Sequence, residues 1–312
     1  MRTATLGRSG PTISRLGIGA WQASGSGPWG SGPRSDDRAA VAAIRQAVEC
    51  GVTWVDTAAS YGLGHSEEVV RRALAPWKVG EEVFVFTKCA HPWDPPDRIR
   101  TDLRPVSIRR ECEGSLRRLG VERIDLLQFH HPDSTTPIEE SWATAAELRR
   151  EGKVRWAGVS NFDVALLERC EAIDHVDSVQ PQLNLMRRDA LREVIPWCRQ
   201  NGSGVIVYSP LASGILAGSY DLGRLLELPE DDWRRVGADR ILEHVRELRS
   251  IAKRLGVKVA ALALAWTLAQ DGVTGAIAGA RRPEQVAGWI GAADIDLAPE
   301  TVAEIESIVE DR

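Results

Sequence analysis

The sequence predicts an α/β barrel of eight parallel strands, and three observations carry that expectation. Short apolar runs alternate with helix-period segments along nearly the whole chain, eight times over. No G-x-G-x-x-G follows the first apolar run, so the structural alternative, a doubly wound dinucleotide-binding sheet, lacks its fingerprint. Chemically distinctive residues stand at the C-terminal end of nearly every predicted strand, where a barrel of this kind gathers its βα loops.

A short hairpin over about 3–13, turning at Arg8-Ser9-Gly10, precedes the first repeat. Strands are predicted near 16–20, 53–56, 83–88, 124–130, 154–159, 178–181, 204–208 and 273–278. Helices follow near 37–49, 66–74, 107–119, 139–150, 163–173, 189–200, 257–269 and 283–290. Ser107 ahead of Ile108-Arg109-Arg110-Glu111 reads as a helix N-cap, and Gly120 after Leu119 as the left-handed residue past a C-terminus. Pro137 opens the fourth helix. Two helices, near 239–255 and 298–309, exceed the eightfold pattern. The fold class is therefore a (β/α)8 TIM barrel with a short N-terminal β-hairpin and two extra helices. No linker or low-complexity tract interrupts it, and residues 1–312 read as a single domain.

With 43% hydrophobic and 27% charged residues, the composition is that of an ordinary globular protein. A formal charge of −5 argues against nucleic acid or an anionic membrane as partner, since both want a basic field. The five cysteines (Cys50, Cys89, Cys112, Cys170, Cys198) are widely spaced with no C-x-x-C pair, as expected of structural thiols in a reducing compartment. MRTATLGRSG lacks the apolar run of a signal peptide and no stretch has the length of a transmembrane helix, so a cytoplasmic location is expected.

The second predicted strand ends in Asp56 with Tyr61 just beyond, the third in Lys88, the fourth in His130. A carboxylate, a phenol, an ammonium and an imidazole at one rim can protonate a carbonyl oxygen as hydride reaches its carbon. A lysine beside a tyrosine lowers the phenol's pKa from about 10, and a buried carboxylate keeps that lysine charged. Each residue has a plainer reading: Asp56 as a turn cap, Lys88 as a surface lysine, His130 as a satisfied strand-end histidine. His131 points the other way by strand alternation, and His65 and His91 read as loop residues bonding locally. Together the four are hard to explain as structure. The other strand ends carry Gly19-Ala20-Trp21, Ser160-Asn161, Gln180, Tyr208-Ser209-Pro210 and Gly279-Ala280-Arg281-Arg282.

Six segments in order, DTAASYGLGHSEE (56–68), TK (87–88), DLLQFHHPD (125–133), GKVRWAGVSNF (152–162), YSPLASGILAG (208–218) and GARRPEQ (279–285), give the chain a resemblance to the aldo-keto reductases along nearly its whole length. That resemblance implies a barrel binding NADPH without a Rossmann domain. It makes Tyr61 the general acid, Lys88 its pKa partner, Asp56 the group holding Lys88, and His130 the donor that orients the carbonyl. Ser160, Asn161 and Gln180 would bond the nicotinamide carboxamide, and Tyr208 would stack under the ring. Ser209, Leu211 and Ser213 would line the pyrophosphate, with Trp21, Gly279 and Gln285 also on the cofactor. Arg281 and Arg282 suit a 2′-phosphate, favouring NADPH/NADP+ over NADH.

The chain departs from the family in two places. Gly288-Trp289 stand where related sequences often carry Glu-Asn, so either Trp289 stacks on the adenine or the far end of the cofactor is held more loosely. Ala276 and Ala278 replace customary prolines, which predicts a less rigid loop. Trp21, Trp29 and Trp93 are candidates for an aromatic wall around the substrate, Trp29 within the Gly/Pro-rich loop 24–37; Trp54 and Trp266 read as core. Segment 219–236 reads as a lid or as a solvated loop.

The implied activity is NADPH-dependent reduction of a small aldehyde, ketone or sugar-like carbonyl. The alternative is an NADP(H)-sensing module resembling potassium-channel β subunits, in which asparagine tends to replace the histidine that this chain keeps as His130. A barrel aldolase using Lys88 as a Schiff-base lysine is a third reading, and a carboxylate-pair hydrolase is disfavoured because Asp56 is the one good rim carboxylate. Oligomeric state is not legible.

Overall fold

A computed structural model describes residues 1–25, 36–94, 98–218 and 220–310, so Trp29 and most of the loop around it lie outside the described residues. The N-terminal hairpin pairs β1 (Thr3–Thr5) with β2 (Thr12–Ser14) antiparallel. Eight parallel strands then close the barrel: β3 (Leu16–Gly19), β4 (Trp54–Asp56), β5 (Phe84–Cys89), β8 (Ile124–Phe129), β9 (Val154–Ser160), β10 (Ser178–Gln180), β11 (Gly204–Val207) and β12 (Gly275–Gly279). The last, β12, pairs with β3 through Gly279↔Gly19, which shuts the ring. A second hairpin, β6 (Trp93–Asp94) with β7 (Arg98–Ile99), was not expected from the sequence.

Around the strands lie α1 (Asp37–Glu49), α2 (His65–Leu74), α3 (Pro105–Leu119), α4 (Ile138–Arg150), α5 (Val164–Glu171), α6 (Val194–Asn201), α10 (Val259–Ala269) and α11 (Pro283–Val286). The two additional long helices are α9 (Ala238–Arg254) and α12 (Pro299–Glu310). Segment 219–236 holds α7 (Leu222–Leu226) and α8 (Trp233–Val236), both packed on α9. No described helix is long and apolar enough to cross a membrane.

Local chemistry sets several boundaries. Gly120 ends α3 at φ 69°, the left-handed conformation glycine enters without cost. The same helix starts two residues before the expected point. Pro105 occupies its first turn with Arg104 as the extended cap residue, leaving Ser107 inside the helix with its buried hydroxyl unbonded. Residues 189–200 split into a 3-10 turn (Asp189–Leu191) and α6, and 283–290 shortens to α11 before a 3-10 turn at Ile290–Asp294. Ala276 and Ala278 lie in β12, within the strand expected over 273–278: both are fully buried, and the Ala276 amide donates to the Arg15 carbonyl at 2.9 Å.

Strand alternation sorts side chains into two cores. Val55, Val85, Leu127 and Phe129 face outward into the layer shared with the helices. Leu6, Ile13, Trp54, Phe86, Leu126, Ile206 and Ile277 fill the barrel floor, with Trp54 and Phe86 ring centroids 5.2 Å apart. Trp54 Nε1 donates to the Ser14 carbonyl at 2.8 Å, so the N-terminal hairpin plugs the lower end. Trp266 is core as expected, its Nε1 donating to Glu306 at 3.0 Å.

Candidate active site

Two residues above the floor layer, the same inward parity yields polar groups. Trp54 leads to Asp56, Phe86 to Lys88, Leu126 to Gln128 and then His130. Register aligns them, Asp56 opposite Phe86 and Lys88 opposite Gln128. Asp56, Lys88 and His130 are nearly inaccessible, at 3%, 1% and 7% exposure. Lys88 Nζ donates to Asp56 Oδ1 and, at 2.9 Å, to the Thr57 carbonyl. Tyr61, half-buried in the loop after β4, presents its ring face to that ammonium, 5.4 Å from the centroid. His130 meets the Tyr61 ring edge-on at 5.6 Å. The four residues singled out in the sequence therefore converge.

Their electrostatics differ from expectation in one respect. Burial, reinforced by the Asp56 carboxylate and Tyr208, pushes the Tyr61 phenol above its ordinary value rather than below it. Lys88 faces the ring while spending its charge on Asp56, so burial governs. Burial also pulls Lys88 below an ordinary lysine, with Asp56 opposing that pull. His130 sits well below the usual imidazole range, through burial first and the Lys88 charge second. Tyr61 is thus a phenol that holds its proton, and His130 a neutral imidazole.

Next to the four lies an amide-rich network. Gln180 Nε2 donates to Asp56 Oδ2 at 2.8 Å and to Gln128 Oε1 at 3.3 Å. Ser160 Oγ donates to the Gln180 backbone carbonyl at 2.8 Å. Asn161 Nδ2 donates to the His130 carbonyl at 2.9 Å, and its Oδ1 accepts from the Tyr208 hydroxyl at 2.8 Å. Asn161 pays with a left-handed backbone, φ 62°. Sequence reasoning missed Gln128, which holds Gln180 and keeps a buried, unbonded Nε2. Its signal was its parity with His130 two residues on.

A second support was also missed. Buried Glu67 accepts from Thr87, the neighbour of Lys88, at 2.6 Å and from Arg118 Nε at 2.6 Å, tying β5 to α2 and α3.

Past β11 the backbone turns left-handed at Ser209 (φ 54°), Ala212 (φ 47°), Ser213 (φ 56°) and Gly214 (φ 91°). Successive residues in such conformations turn their N–H groups into one concavity, which suits an anion. Leu211 lies in the same turn, partly buried. Gly279 closes β12 where a Cβ would strike the Gln22 amide at 2.1 Å, so that strand end stays bare. Arg281 and Arg282 follow, exposed, and the backbone N–H of each donates to Gln285 Oε1, at 2.6 and 3.3 Å. Trp289 is corrected: at 2% exposure it belongs to the core and has no face for an adenine. Trp21 is 42% exposed in the turn after β3. Trp93 carries the Arg118 guanidinium 5.4 Å over its ring. A groove of about 900 Å³ between α2 and α3, lined by Arg71, Trp77, Arg123 and Asp125, lies toward the lower end and holds none of these residues.

The polar network and the left-handed turn fit a nicotinamide dinucleotide: amide groups for a carboxamide, a backbone concavity for a pyrophosphate, and guanidinium groups beyond it. Comparison with known proteins points the same way. Residues 15–310 match the Aldo/keto reductase family. The chain is 34% identical over 301 residues to aldo-keto reductase YhdN of Bacillus subtilis, covering 93% of this chain and 89% of that protein. It is 33% identical over 312 residues to the NADH-specific methylglyoxal reductase of Escherichia coli, covering 95% of each. The solved glycerol dehydrogenase AKR11B4 from Gluconobacter oxydans superposes with a TM-score of 0.88 at 34% identity, over 98% of this chain and 94% of that one.

Proposed function

The chain belongs to the aldo-keto reductase family, and from that premise we propose that it reduces the carbonyl of a small aldehyde, ketone or sugar-like substrate with Tyr61 as general acid. The observation that carries this reading is the Asp56–Lys88 pair, buried beneath Tyr61 and His130 at the open end of the barrel.

NADPH, when bound, supplies the hydride. The protein's part is the proton and the geometry. Tyr61 holds its proton at neutral pH, as a reduction requires, and releases it as negative charge develops on the carbonyl oxygen. Lys88, its Nζ 5.4 Å from the ring centroid, supplies a positive charge that offsets part of the cost of the phenolate as the proton departs. Asp56 keeps Lys88 charged and aimed despite burial. His130, a neutral imidazole, can donate an N–H to the same oxygen without competing as an acid.

For the cofactor, Gln180 has its amide N–H committed to Asp56 and Gln128, which leaves its carbonyl as the group to accept from a carboxamide. Ser160 and Asn161 are the other candidates there, and Tyr208 is the stacking surface. Ser209, Leu211 and Ser213 would hold the pyrophosphate, with Trp21, Gly279 and Gln285 around it. Arg281 and Arg282 support NADPH, whereas one relative is named NADH-specific. Relatives named for methylglyoxal and glycerol support a small, polar substrate, which Trp21, Trp29 and Trp93 would wall. Five unpaired cysteines support a cytoplasmic location.

The deciding experiment follows nicotinamide absorbance with a panel of small aldehydes, for the protein and for Tyr61→Phe. Turnover that collapses in the variant while NADPH still binds supports the assignment. Equal turnover refutes it, and NADPH binding without consumption by any aldehyde favours the sensing module.

A further inference from the structure

Two histidines that the reductase reading does not use, His91 and His131, lie against His130. We propose that His91, His130 and His131 form a site for a divalent transition-metal ion such as zinc, and that a bound ion stops the reductase by occupying His130. The second half rests on the role given to His130 above; the first does not.

The geometry is nearly that of a three-histidine site. One ligand nitrogen from each ring lies within 4.8 Å of the other two. His91 Nε2 and His131 Nδ1 are 2.8 Å apart. Ring centroids are 5.2 Å apart for His91 and His130, 5.0 Å for His91 and His131, and 5.0 Å for His130 and His131. Tetrahedral zinc with bonds of about 2.0–2.1 Å needs nitrogens about 3.3 Å apart. The His91–His131 pair must then open by about half an ångström and the widest pair close by at most about 1.5 Å. The ion would take the place of the hydrogen shared by His91 and His131, which moves to the other nitrogen of its ring; His91 Nδ1 faces the Arg100 carbonyl at 3.4 Å. Three imidazoles suit zinc, copper or nickel over magnesium or calcium, and leave a fourth position for water.

The cluster is also built. His91 follows Ala90, a non-glycine residue at φ 97°. That strain is held by buried Glu111, which accepts from the amides of Ala90 at 3.1 Å and His91 at 3.2 Å. From the far side the Asp102 amide donates to the Ala90 carbonyl at 3.0 Å. A backbone held this firmly in a sparsely populated conformation marks a position where direction matters. All three rings are kept neutral, His91 down to about 4, by burial first. Neutral imidazole is the ligand form, so protons compete little at neutral pH.

The test titrates zinc chloride into the chelator-treated protein by calorimetry, with cobalt absorption as a second probe of coordination. We expect one ion per chain, bound at least about 100-fold more weakly by His91→Asn and by His131→Asn. His65→Asn, which alters a separate histidine beside Asp37, should bind as the wild type does. Should His91→Asn fold poorly, His91→Cys, which restores a ligand, should recover most of the affinity. Turnover with zinc relative to turnover without should fall with occupancy in the wild type and stay near one in His131→Asn. No binding to the wild type, or wild-type affinity in both His91→Asn and His131→Asn, overturns the site. A bound ion that leaves turnover intact overturns the inhibition alone. A protein with no turnover at all would refute the reductase reading, while calorimetry still decides the site.

Discussion

Gln180 donates its side-chain amide to Asp56 Oδ2 at 2.8 Å, across the barrel from β10 to β4. The other carboxylate oxygen holds Lys88, so one buried anion is fixed from two sides. On the proposed reading, Gln180 would position the proton machinery as well as offer its side-chain carbonyl to a cofactor. Gln180→Leu should lower kcat as well as cofactor affinity and cost about 1–3 kcal/mol of stability, because Oδ2 loses its buried donor. Steady-state kinetics beside urea unfolding checks this. A change in cofactor KM alone would reduce Gln180 to a cofactor ligand.

Asp56→Asn removes the countercharge of a lysine that is 1% exposed. Breaking a buried pair from one side costs about 3–5 kcal/mol. Adding Lys88→Met should restore much of that stability without restoring turnover. A double-mutant cycle by urea unfolding reads the coupling, and additive losses would mean the two side chains do not depend on each other.

Glu111, which clamps the strained Ala90, is pushed up to about 8 by burial. Its folded value lies above the unfolded one, so its contribution is complete below about 4.5 and is lost as pH rises towards 8. Glu111→Gln cannot ionise. The melting temperature of the wild type relative to Glu111→Gln should accordingly fall between pH 5 and pH 8. A constant difference across that range would show that Glu111 does not titrate there.

The convergence of the four residues was legible because β-strand parity is simple: Asp56, Lys88 and His130 each stand an even number of residues beyond a floor residue. Tyr61 was legible through its loop. What could not be read was anything set by contacts between distant elements. Trp289 was read as a candidate for the adenine, and only packing between distant elements shows that it is buried. His91 and His131 were read as bystanders, because their 2.8 Å approach joins the loop after β5 to the end of β8, forty residues on. The Tyr61 shift was misjudged in sign because a neighbouring lysine is visible in sequence and the depth of burial is not.

Arg281 and Arg282 decide the cofactor reading. Both are exposed at the end of β12, and Gln285 Oε1 accepts from both backbone amides, which fixes the direction in which their side chains leave the chain. Helix α11 has only four residues, so its terminus adds little field of its own, and the guanidinium groups must do the work. A charged hydrogen bond to phosphate is worth about 1.5–3 kcal/mol, or roughly 10- to 100-fold in affinity. Arg281→Ala and Arg282→Ala should raise the KM for NADPH by that factor and leave the KM for NADH within about twofold. Gln285→Ala should give a smaller NADPH-selective loss, since it acts through the backbone that carries them. Equal losses for both cofactors would place the arginines on the pyrophosphate. No change in either would remove them from the cofactor site and align this chain with its NADH-specific relative.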